Sequence, residues 1–139
     1  MMKAQQILII DDDPAISFLL NKILSDRYTV YSCNNAMDAL CWLTEGNLPD
    51  LIVTDLVMPS LTGIELLEQL HESGMFKGIP VIILSGLADP EKEKRSIELG
   101  VNSFLRKPFT PDSLLEAIDK IMECKDGERP IKLNDKLYA

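Results

Sequence analysis

Two stretches of this chain, DLIVTD at 50–55 and IPVIILS at 79–85, hold apolar residues in unbroken runs (LIV and VIIL) rather than at every second position. A strand with one wet face alternates. One that is apolar throughout must be covered on both faces, which is the signature of a parallel sheet sandwiched between helices. QQILIID at 5–11 has the same character, and YTVYSC at 28–33 and NSFLRK at 102–107 are further strand-length runs. The segments between them have helical spacing. Asp13 and Pro14 supply an N-cap and a first-turn proline before Ile16, Leu19, Leu20, Ile23 and Leu24. Asn35 caps a second helix carrying Ala36, Ala39, Leu40 and Leu43, closed by Gly46. Thr62 and Glu65 form a capping box before Leu66, Leu67 and Leu70, with Gly74 as the expected stop. Asp89–Pro90 opens a charged fourth helix stopped by Gly100. Thr110–Pro111 opens a fifth, with Phe109 and Leu114 placed as a hydrophobic staple.

Strand and helix thus alternate five times, which predicts an α/β fold: a doubly wound five-stranded parallel sheet in the order 2-1-3-4-5 with five helices, flavodoxin-like. The predicted domain spans 1–124. A polar tail, KDGERPIKLNDKLYA at 125–139, follows it, and its Ile131, Leu133, Leu137 and Tyr138 are available to dock on the domain or a partner.

The formal charge of −8 argues against DNA binding through a basic face. No apolar run reaches the roughly 18 residues of a membrane span, and MMKAQQ lacks the apolar core of a secretory signal. Cys33, Cys41 and Cys124 are odd in number and widely spaced, as expected of reduced thiols in a cytoplasmic protein. His71 stands alone, which leaves no partner for a zinc site and suits a structural place near a helix C-terminus. Trp42 is expected to pack half-buried on the second helix, and EKEKR at 91–95 to be a solvated helix face.

In a doubly wound sheet the reactive crevice lies at the carboxyl ends of the strands where the winding reverses, between the first and third strands. ILII at 7–10 runs there into Asp11, Asp12 and Asp13, and the third strand ends at Asp55. Asp13 is accounted for as a cap. Asp11, Asp12 and Asp55 converge, and crowded carboxylates of that kind suit Mg²⁺, with Mn²⁺ as a substitute. Ser85 and Lys107 end the fourth and fifth strands. A metal, an ammonium, a hydroxyl and a spare carboxylate are the parts needed to hold a transferring phosphoryl group. Asp55 is the nucleophile by this division of labour, since Asp11 and Asp12 are taken up with the metal.

LIIDDDP, DLIVTDLVMPSLTG, VIILSG and LRKPF together resemble the receiver domains of two-component response regulators, over roughly residues 5–124. The resemblance implies that Asp55 is the phosphoacceptor and that Mg²⁺ is held by Asp11 and Asp12, largely through Asp12 and water. It also implies a metal contact from the Val57 backbone carbonyl, contacts from Ser85 and Lys107 to the phosphoryl oxygens, and a cis Lys107–Pro108 bond. Ser85 stands where threonine is commoner, and Phe104 occupies the switching aromatic position. The apolar Val57 and Leu87 offer nothing to orient a hydrolytic water, so a long-lived phosphorylated state is expected. The implied donor is a histidine kinase or histidine phosphotransfer protein. The output is a contact with another protein, through the fourth helix, fifth strand and fifth helix, by a stand-alone monomer or a phosphorylation-linked dimer. Such a chain carries out its own phosphorylation and dephosphorylation but is no turnover enzyme.

Three other functions share parts of this pattern. A haloacid-dehalogenase-like phosphatase also uses a strand-end aspartate, Ser/Thr, lysine and Mg²⁺, and Asp11-x-Asp13 superficially matches its first motif. No acidic pair follows Lys107 at a strand end, and there is no room for a substrate cap. A flavodoxin-like electron carrier would need a Ser/Thr/Gly phosphate loop where three aspartates stand. A phosphorylation-independent binding module would lack an essential acidic residue or the lysine.

Overall fold

The computed structural model describes residues 5–58, 61–86 and 89–124. Its elements are β1 (Gln6–Ile10), α1 (Pro14–Leu24), β2 (Thr29–Cys33), α2 (Ala36–Thr44), β3 (Leu51–Asp55), α3 (Gly63–Glu72), β4 (Val81–Ser85), α4 (Pro90–Glu98), β5 (Ser103–Arg106) and α5 (Pro111–Cys124). All strand pairs are parallel, in the order β2-β1-β3-β4-β5. This is the flavodoxin-like order expected from the sequence. Residues up to Pro108 form one compact unit, which holds the whole sheet and α1 to α4. The unit that begins at Phe109 has α5 as its described element. The proposed tail at 125–139 lies outside the described residues.

The three central strands, β1, β3 and β4, are buried on both sides, as their unbroken apolar runs demand. Leu8, Ile10, Ile52 and Ile83 face one core with Ala36, Ala39 and Leu43 of α2 and Leu66, Leu67 and Leu70 of α3. Ile7, Ile9, Val53, Ile82 and Leu84 point the other way by the strand's two-residue period and are equally buried, as are Leu20 and Leu24 of α1. Burying each such side chain contributes about 1.5–3 kcal/mol.

All five strands start one or two residues later than the expected runs, and two of these starts are instructive. Asp50 and Asn102 precede β3 and β5 instead of belonging to them. Asp50 donates its N–H to the Gln6 carbonyl (2.8 Å), while its Oδ2 accepts from the Gln6 N–H (2.8 Å). Asn102 does the same to Val81, with its N–H on the carbonyl (2.9 Å) and its Oδ1 on the N–H (3.0 Å). Each residue clamps both backbone groups of the first residue of the neighbouring strand with one oxygen and one N–H.

The helix signals act as their residues suggest. The side chains of Asp13, Asn35 and Asp89 accept from backbone N–H groups of Ala15, Asp38 and Lys92, and Thr62 and Glu65 form a complete capping box. Gly46 and Gly100, just past α2 and α4, take φ of +105° and +90°, where a side chain would be strained. Gly74 is a correction, because α3 ends at Glu72 and its C-cap is Ser73 in extended conformation. The Ser73 hydroxyl accepts from the N–H groups of Met75 and Phe76 and turns the chain without a left-handed residue. Thr110 and Ser113 cap α5 reciprocally through side chain and backbone.

The EKEKR run is mostly exposed, but two of its charges are engaged. Arg95 pairs with Glu68 of α3 at 3.1 Å and Glu93 with Arg106 of β5 at 3.0 Å. His71 is exposed in the last turn of α3. No described helix is long and apolar enough to cross a membrane.

Candidate metal and phosphoacceptor site

The three aspartates after β1 have three different tasks. Asp13 caps α1 through its side chain and donates its N–H to Asp11 Oδ1 at 2.9 Å. Asp11 extends the sheet by one bond, its N–H donating to the Cys33 carbonyl, and its side chain is only 2 % exposed. Asp12 lies between them, open to solvent. Asp55 ends β3 at 9 % exposure, with Oδ1 accepting from the Leu56 N–H (2.9 Å) and from Lys107 Nζ (3.3 Å).

One carboxylate oxygen from each of Asp11, Asp12 and Asp55 lies within 4.8 Å of the others. At that separation the buried Asp11–Asp55 pair repels by on the order of 3–4 kcal/mol at an effective dielectric of 20. Lys107 offsets part of this, 3.3 Å from Asp55 and 3.6 Å from Asp11 Oδ2. The longer contact is an ion pair without a hydrogen bond, so Asp11 Oδ2 is a buried acceptor with no donor. Burial pushes the Asp11 carboxyl above its ordinary value. The Asp13 N–H and Lys107 pull it back only partly, and Asp55 and Asp12 push it further up. An orphaned carboxylate oxygen beside two more carboxylates fits a hard divalent cation that takes oxygen ligands.

The other predicted residues fall around this point. Ser85 ends β4 at 1 % exposure, and its carbonyl accepts from the Lys107 N–H at 2.8 Å, which joins the ends of β4 and β5. The Lys107–Pro108 peptide is cis. Val57 is 46 % exposed just beyond β3. Phe104 lies opposite Ile83 on β5, half-buried against the core. Leu87 lies outside the described residues.

Two contributors were not legible as such in the sequence. Thr54, wholly buried, donates its hydroxyl to the Asp55 carbonyl at 3.0 Å. Gly63 opens α3 with its N–H on the Leu56 carbonyl (2.8 Å), so close that a Cβ there would lie 2.6 Å from the Asp55 carbonyl oxygen. The available signal was a poor helix former at the first helical position, where no turn requires it.

Residues 7–119 match the response regulator receiver domain family. The chain is 29 % identical over 123 residues to the hybrid signal transduction histidine kinase D of Dictyostelium discoideum, covering 88 % of this chain but 8 % of that protein. It is 32 % identical to the chemotaxis protein CheY-3 of Vibrio cholerae, with 87 % of this chain and 94 % of that protein covered. Among solved structures, the receiver domain of a signal transduction histidine kinase from Syntrophus aciditrophicus superposes with a TM-score of 0.83 at 31 % identity, covering 94 % of this chain and 99 % of that one. With its sheet order, its strand-end aspartates and these likenesses, the chain belongs to the response regulator receiver domain family of two-component signalling.

Proposed function

We propose that Asp55 accepts a phosphoryl group from a phosphohistidine on a histidine kinase or phosphotransfer protein, and that the chain then signals by binding another protein. The single observation that supports this most is the placing of Asp55: its Oδ1 is held by Leu56 and Lys107, while its carboxylate stays within reach of Asp11 and Asp12. Oδ2 is the oxygen left to attack phosphorus in line. The P–N bond of the donor breaks, and its electron pair stays on the imidazole nitrogen. Asp11 and Asp12 would hold Mg²⁺, which supplies charge neutralisation at the phosphoryl oxygens when bound. Lys107 Nζ moves from its ion pair with Asp55 to an oxygen of the incoming group, and the Ser85 hydroxyl donates to another. The chain acts once per transfer and is no turnover enzyme.

Intact-mass measurement after incubation with acetyl phosphate tests this. One phosphoryl group is expected on the wild-type chain with Mg²⁺, none with a chelator, and none on Asp55→Asn. Equal labelling of the Asp55→Asn chain would falsify the assignment.

Ser85 and Phe104 are the proposed output pair. A Ser85 hydroxyl drawn to the phosphoryl group makes room for Phe104, already half-buried, to bury the rest of its ring, which is worth about half of the roughly 1.5–3 kcal/mol of full phenylalanine burial. That shifts a two-state surface roughly three- to tenfold. With beryllofluoride as the phosphoryl mimic, amide shifts in α4 and β5 should change in the wild type and change less in Ser85→Ala. Full-sized changes in Ser85→Ala would uncouple the pair.

A further inference from the structure

The core-facing positions of α2 are Ala36, Ala39 and Leu43. A second stripe at Asp38, Cys41, Trp42 and Glu45, spaced three and four residues apart, lies against β2, the outermost strand on its side of the sheet. Tyr31 of β2 stacks on Trp42 with ring centroids 4.5 Å apart and planes 9° from parallel, and Tyr31 remains 42 % exposed. Together with Ser32, Cys33 and Asn34, these residues line a surface cavity of about 260 Å³. It has two carboxylates, an aromatic pair and no lysine or arginine among its lining residues. That absence is wider than the cavity, because the sequence contains no lysine or arginine between Arg27 and Lys77.

The neighbouring backbone is open as well. Thr29 and Cys33 turn their hydrogen-bonding groups to β1, through Thr29 N–H to Gln5 and Asp11 N–H to Cys33. By the strand's alternation Val30 and Ser32 turn theirs outward, where no strand pairs among the described residues.

We propose that this cavity receives an arginine side chain from an extended segment of a partner protein, laid along the outer edge of β2. The guanidinium plane stacks on the Tyr31–Trp42 pair, and its N–H groups pair with Asp38 and Glu45. Main-chain bonds to Val30 and Ser32 set the direction of the segment. Lysine is a poorer occupant, since an ammonium is more strongly hydrated and has no plane to stack. The surface is independent of phosphoryl transfer at Asp55.

Trp42 is the sole tryptophan and therefore reports directly on its own site. The full chain is titrated at fixed ionic strength with the peptide acetyl-Thr-Arg-Thr-Arg-Thr-amide, following Trp42 fluorescence. A saturable change is expected. The lysine version should bind about threefold more weakly, and the glutamate version should give no saturable change. Asp38→Asn combined with Glu45→Gln should weaken binding about tenfold. Both sites are exposed and both changes nearly isosteric, so circular dichroism should confirm an intact fold. Glu72→Gln combined with Glu123→Gln removes the same charge from other exposed positions and should leave binding unchanged. Equal weakening in that control pair, equal binding of the lysine peptide, or no saturable response overturns the proposal.

Discussion

Gly63→Ala should lower the stability of the fold by about 1–3 kcal/mol, the usual cost of overpacking, and slow phosphoryl uptake by at least about tenfold. The added methyl would lie 2.6 Å from the Asp55 carbonyl oxygen, 3.0 Å from Leu56 Cα and 3.1 Å from the Leu56 carbonyl oxygen. All three are backbone atoms, so no side chain can swing away to make room. Alanine's better helix propensity offsets up to about 1 kcal/mol of this, less at a first-turn position. What gives way is the start of α3 or the Asp55–Leu56 peptide. The second carries the nucleophile with it, and a displacement approaching 1 Å costs on the order of 10²-fold in a reaction that depends on alignment. Thermal unfolding and the rate of uptake from acetyl phosphate measure the two effects. A Gly63→Ala chain that melts with the wild type and accepts phosphoryl at the same rate would show that this close approach does not constrain Asp55.

Asp11→Asn should have effects of opposite sign on stability and on metal binding. Without metal, wild-type Asp11 is a buried carboxylate beside another, with one oxygen lacking a donor. An asparagine keeps the oxygen that accepts from the Asp13 N–H and removes the negative charge. Loss of a charge that burial and the neighbouring Asp55 and Asp12 carboxylates disfavour should raise metal-free stability by about 1–3 kcal/mol. Since the native carboxyl lies above its ordinary value of 3.8, the folded chain holds this proton more tightly than the unfolded one. Its contribution to stability therefore falls as pH rises through the window between the unfolded and the raised native value. The advantage of asparagine should accordingly be small at acid pH and fully developed at neutral pH. With Mg²⁺ the order reverses, because the variant has lost one anionic ligand. Urea unfolding at neutral pH, with a chelator and then with saturating Mg²⁺, measures both arms. A variant less stable than wild type in chelator would mean that the Lys107 ion pair outweighs the desolvation.

Most of the fold could be read from the chain because its signals are local. Asp13–Pro14, Asn35 and the Thr62–Glu65 box act within a single helical turn, and both-face burial is written directly in DLIVTD and IPVIILS. The acidic site was legible because parallel topology brings strand ends together, so residues far apart in sequence need only share that position. What escaped was set by distance across elements. Gly63 is close to Asp55 only after α3 has docked, and the Tyr31–Trp42 stack needs both β2 and α2 in place. Gly74 was misread for a local reason, since the Ser73 hydroxyl accomplishes the turn that a left-handed glycine would otherwise make.

The clamps made by Asp50 and Asn102 sit at the opposite end of the sheet from the aspartates, about 17 Å from Asp55 along a five-residue strand at 3.3 Å per residue. A slip of one residue there would turn every side chain of β3 over, sending Asp55 to the wrong side of its strand. The two clamps act as the datum from which the strand tips are measured off. Alignment among Asp11, Asp55, Ser85 and Lys107 is therefore inherited from polar residues that touch none of them. The end of the sheet farthest from the chemistry is where an apparently silent surface substitution would most readily put the reactive groups out of true.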